Sequence, residues 1–195
     1  ELTRLLLDQG RRRILRLWRF PQQHHWLDER DRGYADAMAA AGAEPLPAVR
    51  TADLPDDVFS KEQYDHVVRV LAGYLFEHVK KPGVAVDAVM TATDKHACEV
   101  IAALQHLGVQ PHRDVAVVGY DAAWPKVPHQ AFNPLGPAAT VDKCNGDAAA
   151  AMVALLHDRI RGTLPPEPQT RLVAPRVVVP QPLEERPPAP GGVGP

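Results

Sequence analysis

Apolar and polar positions along this chain switch repeatedly between a helical and a strand period. Residues 1–9 place Leu2, Leu5 and Leu6 at helical spacing, and Gly10 stands where that helix would stop. Residues 11–20 (RRRILRLWRF) alternate enough for a strand. A loop then leads, from residue 24 onward, into a helix with Tyr34, Ala37, Met38 and Ala41 on one face, ending near Gly42. A short strand candidate at 48–54 and an acidic loop come next. Ser60 is a favourable N-cap for a long helix over 61–80, whose Val67, Val70, Leu71, Tyr74 and Leu75 point inward. Pro82 and Gly83 punctuate, and residues 84–92 (VAVDAVMTA) form a largely apolar strand. Asp94 is placed to cap a helix over 95–107. Residues 115–120 (VAVVGY) are apolar on both faces, the mark of a central parallel strand. Beyond a loop-rich stretch at 122–137, residues 138–141 suit a strand, and an alanine-rich helix runs from Asn145 or Asp147 to Arg161, stopped by Gly162. Residues 171–179 close as a strand interrupted by Pro175, which suggests an edge or a bulge. Alternating helices and strands predict an α/β layered fold with a mostly parallel sheet. There is no internal repeat.

Composition narrows the picture further. The 195 residues suffice for one domain or two small subdomains. A net charge of −2 gives no electrostatic reason to grip nucleic acid, so any DNA contact needs another segment. Cys98 and Cys144 have no C-x-x-C spacing and read as reduced thiols of a cytoplasmic protein. No apolar run is long enough to span a membrane. The chain opens at Glu1, inside a helical pattern, so a preceding segment is expected. Residues 181–195, rich in proline and glycine, read as a disordered tail.

In open parallel sheets ligands bind beyond the carboxyl ends of the strands. Thr93 and Asp94 follow one predicted strand, Asp121 follows another, and Arg30 lies on the loop-to-helix segment after a third. A carboxylate and a guanidinium facing one cleft suit a polyhydroxylated ligand, one accepting from neighbouring hydroxyls and the other donating to them. Asp94 also suits a helix N-cap, the more favoured role by position, and Arg30 a surface ion pair. No phosphate-binding glycine loop, nucleophile elbow or metal-ligand spacing occurs, which argues against an enzyme and against a cofactor or metal. The adjacent His24 and His25 read as a solvated pair. The charges at Asp28, Glu29 and Asp31 read as a solvated helix start.

Several segments, in order, resemble the effector domain of LacI/GalR transcriptional regulators. These are 5–16 (LLLDQGRRRILR), 30–42 (RDRGYADAMAAAG), 87–108, 114–121 (DVAVVGYD), 139–141 with the helix through Leu155 and Leu156, and 172–179 (LVAPRVVV). The 114–121 block is the specific part, and Arg11 stands where the family has histidine. The resemblance implies a periplasmic-binding-protein-like type I fold: three-layer α/β, two hinged subdomains about a cleft, the N-terminal one incomplete. On that basis residues 1–43 are a remnant of the N-terminal subdomain. Residues 44–180 are mainly the effector-binding subdomain, with part of 122–165 returning to the first. The resemblance also implies effector contacts at Arg30 and Asp121. It places Thr93 where many members have asparagine, Phe59 as a stacking aromatic and Lys143 near a polar contact. The function implied is a cytoplasmic ligand sensor controlling operator DNA through an absent helix-turn-helix headpiece. The expected partners are a small carbohydrate effector and a second copy in a homodimer, with no membrane. A periplasmic sugar-binding protein of a transporter is the alternative.

Overall fold

The computed structural model describes residues 1–180 other than 21, 23, 52–53, 56 and 81–84. The 181–195 segment, expected to be disordered, lies outside the described residues. Six strands and five helices are described: α1 (Leu2–Asp8), β1 (Ile14–Trp18), α2 (His25–Ala40), β2 (Val49–Arg50), α3 (Lys61–Val79), β3 (Ala88–Thr91), α4 (Asp94–His106), β4 (Ala116–Val118), β5 (Thr140–Asp142), α5 (Asn145–Ile160) and β6 (Arg176–Val178). Two short 3-10 turns lie between β4 and β5. Among the described residues the expected elements are present, with shorter strands.

Strands β2, β1, β3 and β4 pair in that order, all parallel. The pairing continues past β4: Ala138 N donates to Val117 O (2.8 Å), Gly119 N to Ala139 O (2.9 Å) and Asp121 N to Val141 O (2.9 Å). That edge carries β5, and β6 pairs antiparallel with it. Alternating side chains of the sheet feed two cores, as the two-residue period of a strand requires. Leu15, Leu17, Val89 and Val117 pack with α3 and α4 on one face. Ile14, Ala88, Ala116 and Val118 pack with Leu2 and Leu6 of α1 and Tyr34 and Met38 of α2 on the other. The result is three layers, a parallel sheet between helices.

Local chemistry explains the element ends. Ser60 caps α3 in a reciprocal box, its hydroxyl accepting from Gln63 N while the Gln63 side chain accepts from Ser60 N. The buried stripe of α3 is Tyr64, Val67, Val68, Leu71, Ala72 and Leu75. It is rotated from the expected face, leaving Val70 and Tyr74 half-buried, because α3 packs against both the sheet and α4.

The segment 1–43 sits differently from its expected place as a remnant of another lobe. Its strand β1 is interior to the sheet, bonded to β2 on one side and β3 on the other, so no break in pairing falls at residue 43. Arg11 reinforces this attachment from the opposite end of the strands. It is fully buried and donates through Nη1 to Asp87 O (2.7 Å) and through Nη2 to His112 O (2.7 Å). Asp87 in turn accepts from Arg12 N (2.9 Å) and Arg13 N (3.0 Å). The residue at position 11 therefore holds three loops together.

Candidate functional site

At the carboxyl ends of β1, β3 and β4 lies an open crevice of about 700 Å³, lined by Phe20, Trp26, Arg30, Thr93, Tyr120, Asp121 and Lys143 among others. Parallel pairing brings these strand ends to one edge, where their loops diverge. Arg30 enters from the second turn of α2. Its guanidinium lies over the Tyr120 ring at 3.6 Å and over the Trp26 ring at 4.6 Å, and Nη1 donates to Ala92 O at 2.8 Å. Burial draws its pKa below the ordinary value, while Tyr120 and Asp121 pull it back up. Guanidinium is so strong a base that it stays charged. Trp26 stands one helical turn before Arg30 and is propped edge-on by Phe20 (5.2 Å) and stacked with His24 (5.6 Å).

Asp121 follows β4 with φ 101, and Ala122 with φ 51, in the region side chains rarely adopt. The turn is held from beneath by Asp94. One Asp94 oxygen accepts from the Thr140 hydroxyl (2.6 Å); the other accepts from Ala123 N (2.7 Å) and Trp124 N (3.1 Å). Burial draws this carboxyl above its ordinary pKa, although those three hydrogen bonds oppose the shift. Gly119 belongs to the same clamp: a Cβ there would come within 2.2 Å of an Asp94 oxygen, so only glycine fits. On the crevice side Asp121 pairs with Lys143 at 2.8 Å.

Of the residues singled out from sequence, Arg30, Thr93, Asp121 and Lys143 meet in this crevice. Two do not. Asp94 is fully buried and is neither the helix cap nor a cleft group; Thr93 is the N-cap, its hydroxyl accepting from His96 N (3.2 Å). Adjacent Thr and Asp can both cap, and the pull of Ala123, Trp124 and Thr140 draws the carboxylate inward. Phe59, ahead of α3, does not line the crevice, and its side chain is 84% exposed. The aromatic residues lining the crevice are Trp26, Tyr120 and Phe20. Trp26 was legible in principle from its spacing to Arg30; Tyr120 and Phe20 carried no signal of their own.

His25 opens α2 on the crevice wall, while His24 stacks on Trp26. Asp31 is structural, accepting from Arg16 Nη1 (2.7 Å) and Trp18 Nε1 (3.0 Å). Among the described residues there is no cluster of metal-ligating side chains, and no helix is long and apolar enough to cross a membrane.

A protein-family model described as Periplasmic binding protein-like domain matches residues 3–181. No curated protein sequence matches the chain. Among solved structures, it is similar to a transcriptional regulator of the LacI family from Sanguibacter keddieii, with 27% identity and a TM-score of 0.65 over 91% of this chain and 60% of that one. It is equally similar to the transcriptional regulator CelR in complex with cellobiose, with 27% identity, TM-score 0.65 and coverage of 91% and 48%. An ABC-transporter periplasmic solute-binding protein from Actinobacillus succinogenes with bound D-allose shares the fold at 16% identity, TM-score 0.64 and coverage of 91% and 56%. The chain thus spans about half to three-fifths of the length of these solved proteins.

Proposed function

The chain belongs to the periplasmic-binding-protein-like domain family, and from that premise we propose that it is the ligand-sensing part of a LacI-type transcriptional regulator with a carbohydrate effector. The observation that carries this reading is the meeting of Arg30 and Asp121, distant in sequence, in one crevice with aromatic walls. Sugars present hydroxyls along their rims and C–H-lined faces above and below. A guanidinium and a carboxylate suit the rims, and Trp26 and Tyr120 suit the faces. Regulators among the 27%-identical structures, one of them holding cellobiose, support a sensor over the transporter alternative, whose similar structure is 16% identical.

In this role the protein binds and does not catalyse. It acts in the cytoplasm as a homodimer and reaches operator DNA through a headpiece outside this chain. The crevice forms one wall of a cleft whose other wall is a second lobe. Support for that lobe comes from α5, which leaves Met152, Val153, Leu156 and Ile160 exposed. Ligand closing the cleft would shift the population between two lobe arrangements and so reposition the DNA-reading segments.

Calorimetric titration of the chain with mono- and disaccharides tests the site. Arg30→Ala or Asp121→Ala leaves a ligand polar group unpaired, a loss of about 1–3 kcal/mol, or roughly 5- to 150-fold in affinity. Unchanged affinity in both variants overturns the assignment.

A further inference from the structure

The charges lining the crevice are not evenly compensated. If the site takes a carbohydrate, as proposed above, that imbalance bears on which carbohydrate it accepts, and the inference rests on that function. Each carboxylate in the wall has its own cation. Asp121 is paired with Lys143 at 2.8 Å, and Glu29 is paired with Arg32 on the outer surface of α2. Arg30 makes no ion pair among the described residues. Its direct contacts are the Ala92 carbonyl and the faces of Trp26 and Tyr120, and the Asp121 charge that also acts on it is the one paired with Lys143. A guanidinium has five N–H donors, of which the Ala92 carbonyl takes one. Those remaining line a half-buried wall beside two aromatic rings.

A cation taken partly out of water with no carboxylate in direct contact is a receptor for an oxyanion, above all for the planar, two-oxygen carboxylate that matches the guanidinium fork. A phosphate dianion would call for further donors that converge on the same point. The cavity of about 700 Å³ leaves room for a sugar ring beside that anchor. The chain as a whole carries a net charge of −2, so it has no general attraction for anions, and a preference for one must arise locally.

We propose that the crevice selects a sugar acid, a monosaccharide bearing a carboxylate, over the corresponding neutral sugar. Arg30 receives the carboxylate, and Lys143 sets the preference by neutralising Asp121. Lys143 is thus a specificity residue that acts through its neighbour. With the ammonium removed, Asp121 would repel an acidic ligand and turn to the hydroxyls of a neutral one.

The test is titration of the chain, monitored by NMR at the Trp26 indole N–H and the Arg30 side chain, with matched probes. D-glucuronate is set against D-glucose and D-galacturonate against D-galactose, with glucose 6-phosphate and acetate as further arms. At least one acid is expected to bind about tenfold or more tightly than its neutral partner and than acetate. Lys143→Gln, a substitution at an exposed side chain, should shrink that ratio from both sides, weakening the acid and strengthening the neutral sugar. Arg30→Gln should remove acid binding while the backbone amide spectrum stays that of the folded chain. Neutral sugars binding as tightly as acids, still dependent on Arg30, overturn the acid preference and leave the carbohydrate function standing. An unchanged ratio in Lys143→Gln overturns the role given to that lysine. Tighter binding of glucose 6-phosphate than of either acid overturns the carboxylate assignment. Crevice resonances unmoved by every sugar overturn both this proposal and the carbohydrate function.

Discussion

Helices α4 and α5 both carry an apolar stripe at helical spacing, yet they meet opposite fates. In α4, Val100, Ile101, Ala103 and Leu104 are buried against α3 and the sheet, and even its polar residues Asp94, His96 and Glu99 lie inside. In α5 no residue is buried; Ile160 is 74% and Met152 70% exposed. α5 is held by an alanine-rich sequence of high helix propensity and by pairs such as Arg176 with Asp147 (3.0 Å) and Arg171 with Asp158 (3.1 Å). Exposed pairs of that kind contribute little. An apolar stripe therefore announces that a helix face is to be covered without saying by what.

The largest effect separating the two helices should come from the buried charges of α4. Glu99 pairs with Arg19 and accepts from His129 Nε2 at 3.0 Å, all three groups being buried. Removing the carboxylate in Glu99→Ala leaves Arg19 uncompensated and should cost about 3–5 kcal/mol in urea unfolding of the chain. Burial alone would raise the Glu99 pKa, but the His129 hydrogen bond and the Arg19 charge outweigh it and set it below the ordinary 4.5. Its stabilising share is thus complete above that value and is lost as pH falls below it through the folded-state pKa. A Glu99→Gln chain should show a flatter acid limb in its stability profile. A limb as steep as that of the unaltered protein would place the acid-sensitive group elsewhere.

Next in size is Ile101→Ala, which opens a cavity beneath α4 and should cost about 2–5 kcal/mol. The matching truncations in α5, Leu156→Ala and Ile160→Ala, should change the stability of the chain by no more than about 0.5 kcal/mol. Equal costs in the two helices would mean that α5 packs on something in solution, and the contrast would fail. The finest discrimination is hydrogen exchange. Amides of α5 should exchange through local opening well before those of α4, whose protection should approach that of global unfolding.

Much of this was legible in the chain itself. Ser60 and Gln63 mark the start of α3, the glycine at 10 ends α1, and the run Ala116–Val118, apolar on both faces, is a parallel strand with one face on each core. Arg30 and Asp121 could be assigned to strand ends from their positions alone. Asp94 could not be placed correctly, because a residue at a strand end has two or three polar neighbours within reach, and the outcome is a competition among them. Thr93 won the cap, leaving Asp94 to the 121–124 turn that Gly119 lets it approach.

What the amino acids decide unaided is periodicity, capping and chain punctuation, since these depend on groups within a few residues of one another. Whether loops far apart in the chain share a crevice depends on the order β2-β1-β3-β4 and on strand register, which are properties of the assembled sheet. That is why the aromatic walls around Arg30, the pairing of Asp121 with Lys143 and the uncovered face of α5 emerge only in three dimensions.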